Sequence, residues 1–70
     1  MDDIATIIAT NMWQLTFNGS TWLVELIGEG RAVRRPVYGE QTKENANIVL
    51  RECRLVTAER IRAALKQNIK

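Results

Sequence analysis

The side chains of this chain with the clearest capacity for chemistry are basic residues in its middle. Arg31, Arg34 and Arg35 lie within five residues of one another, and Lys43 follows eight residues after Arg35. The planar guanidinium of arginine can bind a phosphate or the edge of a guanine through two hydrogen bonds at once. The spacing therefore indicates a basic surface suited to contact with a nucleic acid.

The sequence shows no combination of residues typical of a catalytic site. The chain has no histidine and one cysteine, Cys53, which excludes the common zinc-site patterns and the histidine-based acid–base and nucleophilic mechanisms. Gly28-Glu29-Gly30 lacks the further glycines and the lysine of a phosphate-binding loop. We therefore predict a protein that is not an enzyme and that uses no cofactor, metal or small-molecule substrate.

Length and composition predict one small domain spanning residues 1–70. A chain of 70 residues is near the lower limit at which a hydrophobic core stabilises a fold unaided, so a protein partner or a homodimer could contribute to its stability. No apolar run reaches the ~20 residues needed to span a bilayer. Asp2 and Asp3 differ from the basic start of a signal peptide, and Cys53 at an apolar position favours a reducing compartment. We expect a cytoplasmic protein that does not enter a membrane.

Charge is distributed unevenly along the chain. Residues 1–30 contain four acidic side chains and no lysine or arginine, whereas residues 31–70 contain all ten basic side chains and four acidic ones. The net charge of +2 therefore combines an acidic first part with a basic second part. A basic surface of this kind can attract an acidic partner, and it can equally be a solvated surface without one.

The predicted fold is organised around a β-hairpin over residues 12–27. Asn18-Gly19 lies between two runs of alternating apolar and polar residues, the pattern typical of a two-residue type I′ turn. Such a turn sets Leu15 opposite Trp22, in strands 12–17 and 20–27. The predicted apolar face consists of Trp13, Leu15, Phe17, Trp22, Val24 and Leu26.

A third strand, residues 31–38, is expected after a turn at Glu29-Gly30. This turn places Leu26 opposite Val33 and Glu25 opposite Arg34, which adds an apolar pair to the buried face and an ion pair to the polar face. Pro36 cannot donate a hydrogen bond to a neighbouring strand, so the third strand must lie at an edge of the sheet.

Helices are predicted on both sides of this meander. In residues 2–11, Ile4, Ile7 and Ile8 have the spacing of a helical stripe, and we expect that stripe to lie against the sheet. The β-branched run Thr6-Ile7-Ile8 also permits a strand here. A second helix begins after Thr42 as N-cap, and its apolar stripe consists of Ala46, Val49, Leu50 and Cys53.

The end of the chain allows either one long helix or two. No glycine or proline follows Gly39, which permits a single helix to the C-terminus. We expect a break near Leu55-Val56 instead, because Thr57 is a suitable N-cap for a last helix over residues 58–68. The predicted fold is thus α+β: a three-stranded antiparallel meander packed by helices, in the order α-β-β-β-α-α.

The polar face of this sheet would present side chains suited to phosphate and base contacts. Sheets as well as helices fit into the DNA major groove, and this face would be formed by Gln14, Thr16, Thr21, Arg34 and Tyr38. The alternative is that the arginines protect an edge strand from pairing with other sheets, which requires no ligand.

Four short motifs carry a family resemblance: Trp22-x-Val24, Gly30-Arg31, Arg34-Arg35 and Thr42-Lys43-Glu44-x-Ala46. Residues 13–54 resemble the arm-type DNA-binding domain at the N-terminus of phage-type tyrosine integrases, a three-stranded sheet followed by a helix. The resemblance implies that the residues facing DNA are Thr16, Thr21, Arg31, Arg34, Arg35 and Lys43. Residues 42–47 are also similar to the helix start of double-stranded-RNA-binding domains, which share the α-β-β-β-α order.

These observations support two hypotheses of different classes. The first is a small non-enzymatic nucleic-acid-binding accessory or regulatory protein, encoded by a phage or a mobile element, with duplex DNA as its partner. The second is a protein-interaction module, either an inhibitor or adaptor that docks on a larger protein or a homodimer.

Overall fold

The computed structural model describes residues 3–28 and 31–68. In this part of the chain the elements are α1 (Ile4–Met12), β1 (Trp13–Phe17), β2 (Trp22–Gly28), β3 (Arg31–Pro36) and α2 (Lys43–Asn68). The strands form one antiparallel sheet in the order β1-β2-β3. The predicted α+β class and the three-stranded meander are confirmed, whereas the described residues form two helices rather than three. The predicted turn at Glu29-Gly30 lies outside the described residues.

Helix α1 is capped by Asp3, whose side chain accepts a hydrogen bond from the backbone nitrogen of Thr6 at 3.0 Å. An aspartate at this position satisfies one of the backbone donors that a helix start leaves without an intrahelical partner. The helix ends directly at Trp13, which is already extended and is the first residue of β1. The position of α1 is therefore tied to the sheet without a linker.

The hairpin between β1 and β2 differs from the prediction in its loop. Phe17 pairs with Trp22 and Leu15 with Val24, so the loop has four residues and the pairing is shifted by two. Asn18 stabilises this longer loop, because its Oδ1 accepts hydrogen bonds from the backbone nitrogens of Ser20 and Thr21 at 3.1 and 2.8 Å. A shift of two residues preserves the side-chain alternation of a strand. Each residue of the hairpin strands therefore lies on the face of the sheet that was predicted for it.

The pairing of β2 with β3 is the predicted one. Leu26 lies opposite Val33 and Glu25 lies opposite Arg34. Strand β3 is an edge of the sheet, as Pro36 required. Val33 is nevertheless exposed, so the apolar face is covered only in part at this edge.

Helix α2 is continuous from Lys43 to Asn68, and the predicted break near Leu55-Val56 is wrong. Its start is the predicted one, since Thr42 Oγ1 accepts a hydrogen bond from the backbone nitrogen of Asn45 at 3.1 Å. Thr57 does not cap a helix; its Oγ1 accepts a hydrogen bond from the indole nitrogen of Trp13 at 2.8 Å. Without a glycine or proline to interrupt it, the helix keeps its backbone hydrogen bonds through this point.

Two separate clusters of buried residues lie along α2. The first, which we call the sheet core, joins Val24 and Val37 to Ala46 and Val49 of α2. Side chains packed against the sheet core are Trp13, Leu15, Trp22 and Cys53. The second, which we call the alanine cluster, joins α1 to α2 and consists of Ala5, Ala9 and Ala58, with Ile61 packed against it.

The alanine cluster overturns the expected orientation of α1. Ala5 and Ala9 are 0% exposed, whereas Ile4, Ile7 and Ile8 are 63%, 49% and 40% exposed. Small side chains let two helices approach closely, and at that distance a larger side chain would not fit between them. The isoleucine stripe therefore faces away from the buried interface and not against the sheet.

Neither helix of residues 3–28 and 31–68 is long and apolar enough to cross a membrane.

Candidate functional site

The face of the sheet turned away from α2, which we call the outer face, is centred on Glu25. This residue is only 5% exposed, because its neighbours across the strands, Gln14 and Arg34, cover it. Gln14 Nε2 donates a hydrogen bond to Glu25 Oε1 at 2.7 Å, and Arg34 Nε donates to Oε2. The hydrogen bond from Arg34, followed by that from Gln14, lowers the pKa of the Glu25 carboxyl. The carboxylate thus stays ionised and offsets the charge of Arg34.

Two of the residues predicted to face DNA lie together on the outer face. Thr16 and Arg34 line the same shallow depression, beside Leu23. The side chain of Arg34 is 62% exposed despite its ion pair. Thr16 Oγ1 is buried and has no hydrogen-bond partner among the described residues, which limits its use as a base-contacting hydroxyl.

The other predicted residues lie elsewhere. Arg35 pairs with Val24 and lies on the helix-facing side of the sheet, beside Trp13 and Arg60 of α2. Successive residues of a strand point to opposite faces, so Arg34 and Arg35 cannot contact one flat ligand together.

Thr21 lies in the hairpin loop, and Lys43 is exposed in the first turn of α2. The backbone of Arg31 begins β3, and its side chain lies outside the described part of the structure. Tyr38, predicted on the polar face, follows β3 and donates its hydroxyl to Glu52 of α2. This hydrogen bond is the main cause of the raised pKa of Tyr38.

A groove of about 410 Å³ runs alongside the contact between α1 and α2. Thr6 and Thr10 form the α1 wall. The α2 wall consists of Asn47, Leu50, Arg51, Arg54, Leu55 and Ala58. We call this the interhelical groove. It combines two guanidinium groups with hydroxyl, amide and aliphatic side chains, which is the composition of a site for an anion that carries apolar groups.

The arginines of the interhelical groove differ in their partners. Arg54 Nη2 donates to the backbone carbonyl of Trp13 at 2.8 Å, which fixes its guanidinium against the end of α1. Within residues 3–28 and 31–68, neither Arg51 nor Arg54 forms an ion pair. The groove therefore has a positive α2 wall whose charge is not offset locally.

Arg62, one to two turns beyond the groove, is paired. It donates to the carboxylate of Asp3 and, at 3.0 Å, to Thr6 Oγ1. The hydrogen bond from Arg62 is the largest of several that hold the pKa of Asp3 far below its usual range. This ion pair joins the start of α1 to the C-terminal half of α2.

Large apolar side chains are exposed around the interhelical groove. Leu55 of the groove wall is 58% exposed, and Ile48, seven residues earlier on the same helix face, is also exposed. Ile7 of α1 is exposed as well, and it is the i,i+3 neighbour of Thr10 in the α1 wall. A positively charged groove bordered by aliphatic side chains is thus the most distinctive surface of the described structure.

The sequence contained the signal for this groove. Asn47, Arg51, Arg54, Leu55 and Ala58 follow the spacing i, i+4, i+7, i+8, i+11, which marks one stripe of a continuous helix. The predicted break near Leu55-Val56 places Ala58 on a different helix from Asn47, Arg51 and Arg54, which conceals the stripe.

No group of histidine, cysteine, aspartate and glutamate side chains in residues 3–28 and 31–68 is arranged to hold a metal ion. Comparison of the chain with protein-family models, with curated proteins and with solved structures finds no match.

Proposed function

We propose that this chain is a protein-interaction module, an adaptor or inhibitor that docks on a larger protein through α1 and the interhelical groove. The observation that supports this most strongly is the exposure of Ile4, Ile7 and Ile8 on a nine-residue helix whose alanines are fully buried. Exposed apolar surface next to polar residues is typical of a protein-binding site.

The size of α1 requires the docking surface to extend beyond it. A nine-residue helix is about 13 Å long and about 10 Å wide, so one of its faces offers on the order of 100–200 Å². A stable interface buries about 800 Å² on each partner. The partner must therefore also contact neighbouring surface, and the interhelical groove is the adjacent surface with both charge and apolar side chains.

Charge favours a different protein over a second copy of this chain. A two-fold dimer brings the same patch of both copies together. On this surface the dimer would enclose Arg51 and Arg54 from both copies, four guanidinium groups in all, with no carboxylate of the described groove walls to offset them. Like charges at a desolvated interface cost several kcal/mol, so an acidic partner fits better.

Substitution of one exposed isoleucine tests this proposal. Immobilised chain and its Ile7→Ser variant are incubated with an extract of the source cells, and the bound proteins are quantified. A partner that docks on α1 should bind Ile7→Ser about tenfold less tightly, the consequence of losing roughly 1.4 kcal/mol of apolar burial. Ile27→Ser is the matched control, because Ile27 is 44% exposed on the sheet and Ile7 is 49% exposed on α1.

Two outcomes would contradict the proposal. Equal capture by the wild type and both variants would mean that α1 is not the docking surface. A wild-type dimer in light scattering that dissociates in Ile7→Ser would identify the occupant as a second copy.

Binding of duplex DNA, expected from the resemblance, stays a prediction with its own measurement. The exposed Arg34 on the outer face is the feature in its favour. Since Glu25 offsets the charge of Arg34, Glu25→Gln should strengthen binding of a labelled duplex at ~50 mM salt, where phosphate contacts are strongest. Absence of binding by both proteins at this salt concentration would contradict the expectation.

A further inference from the structure

We infer that the interhelical groove binds an acidic side chain flanked by apolar ones. The bound part of the partner protein is therefore a peptide segment rich in acidic residues and leucine. The inference rests on the proposed function and adds the chemistry of the bound segment. The groove volume of about 410 Å³ lies within the range of sites that hold small ligands or a few side chains.

The anionic part of the ligand is specified by the α2 wall. Arg51 and Arg54 are three residues apart and therefore lie on one face of the helix. A carboxylate between them would accept charge-assisted hydrogen bonds, which are about twice as strong as neutral ones. Arg54 is already held by the Trp13 carbonyl, so little side-chain freedom would be lost when it binds a ligand.

The apolar part of the ligand is specified by the floor and the rim. Leu50 and Ala58 are buried beside the groove, and Leu55 is exposed at its edge. Aliphatic side chains on either side of a carboxylate could cover Leu55 and Ile7. Burial of such surface contributes about 25 cal/mol for each Å² removed from water.

The α1 wall disfavours a nucleic acid as the occupant. Residues 3–12 contain no lysine or arginine, and Asp3 is the charged residue among them. A duplex presents phosphates along its whole length and needs basic contacts over an extended surface. The groove offers a basic wall on one side alone, which suits a single carboxylate better than a polyanion.

A pair of peptides tests the inference on the intact chain. One is a peptide of about eight residues in which glutamate pairs alternate with leucines, and the other has glutamine at each glutamate. Amide chemical shifts of the isotope-labelled chain are followed during titration. The glutamate peptide should shift amides of α2 around Arg51–Ala58, should bind more weakly as salt increases, and should bind at least about tenfold tighter than the glutamine peptide.

Two arginine variants locate the site. Arg51→Gln should weaken binding of the glutamate peptide about tenfold. Arg60→Gln is the matched control: nine residues of helix correspond to two and a half turns, so Arg60 leaves α2 on the side opposite Arg51. It removes the same charge and should change the affinity less than about twofold, since it lies by Trp13 on the sheet side.

Several results would overturn the inference. The first two are equal affinity for the two peptides and absence of binding at millimolar peptide. The third is that Arg51→Gln and Arg60→Gln weaken binding of the glutamate peptide equally. The fourth is binding of duplex DNA that is lost in Arg51→Gln. Each of these results leaves the proposed function separately testable. If capture of a partner depends on Ile7 but not on Arg51, docking through α1 is supported and the acidic ligand is rejected.

Discussion

Helix α2 packs against the sheet on one side and against α1 on another, and the side chains buried at these two contacts differ in size. In the sheet core, branched and aromatic side chains fill the space between a helix and a sheet, as Val24, Val49 and Trp22 do. In the alanine cluster, α1 and α2 meet through Ala5, Ala9 and Ala58. Large side chains fill the space between α2 and the sheet, whereas small side chains allow two helices to approach more closely.

This difference explains where apolar surface remains exposed. The sheet core buries its valines, so it gains about 1.5–3 kcal/mol for each large side chain removed from water. Alanine contributes little area, so the helix pair gains less from burial, and the large side chains of α1 stay outside. The helix pair is thus the half of the molecule that gains most from a partner.

The largest effect is expected from removing volume in the sheet core. Val49→Ala deletes two buried methyl groups at about 0.8 kcal/mol each and leaves a cavity, so the free energy of unfolding should fall by about 2–3 kcal/mol. Urea denaturation measures this change. The exposed Val56 is the matched control, and a loss for Val56→Ala as large as that for Val49→Ala would contradict the description of the sheet core.

The alanine cluster should respond to the opposite change. Ala58→Leu adds volume where two helices touch, so it should destabilise the protein by about 1–3 kcal/mol although leucine is a good helix former. Ala63→Leu places the same side chain on an exposed position of α2 and should change stability by less than about 0.5 kcal/mol. If Ala58→Leu is as stable as Ala63→Leu, the helices are not held together by close alanine packing.

The junction between the two halves gives an intermediate effect. Trp13 follows α1 directly and donates its indole N–H to Thr57 in the middle of α2. Thr57→Val keeps the shape of the side chain but removes the acceptor, which leaves a half-buried donor unpaired and should cost about 1–2 kcal/mol. Tryptophan fluorescence during urea unfolding measures the loss of stability. Thr10→Val, at an exposed position of α1, controls for the loss of a threonine hydroxyl.

The smallest effect is expected at the end of the helix pair and depends on pH. Asp3 has a pKa lowered from 3.8 in the folded protein, so its ion pair with Arg62 stabilises the fold at neutral pH. That contribution should disappear as the pH falls through about 4 towards the lower folded pKa. Asp3→Asn keeps an N-cap oxygen but lacks the charge, so it should be less stable than the wild type at pH 7, and the difference should shrink steadily as the pH falls from about 4 to about 2. A stability difference that does not change with pH would contradict this assignment.

Much of the fold was predictable because it depends on local patterns. Alternating apolar residues and one turn motif located the strands, and the pairing of Glu25 with Arg34 followed from opposite charges. The N-cap at Thr42 followed from its residue type. The four-residue hairpin loop was missed because Asn-Gly also suits a longer loop when the Asn18 side chain bonds the backbone after it.

The errors in the helices share one cause, which is tertiary packing. Hydrophobicity alone favours burial of Ile4, Ile7 and Ile8. Because α1 and α2 pack closely, however, the smaller Ala5 and Ala9 are buried between them instead. Thr57 has the residue type of an N-cap, yet its hydroxyl accepts a hydrogen bond from the indole N–H of Trp13, which is 44 residues away in sequence. The α2 wall of the interhelical groove could be predicted from the stripe of a continuous helix, whereas the position of the α1 wall depends on how the two helices pack and could not.

The continuity of α2 limits where this chain can change in length. Val49 and Ala58 are nine residues apart, so they leave the helix on opposite sides and about 13 Å apart along its axis. One residue inserted between them would rotate the C-terminal part of α2 by about 100°. Because α1 joins β1 without a linker, it could not move to keep its contact with that part of α2. Insertions and deletions among descendants of this sequence should therefore accumulate in residues 18–21 and 39–41, while the stretch from 50 to 57 keeps a constant number of residues.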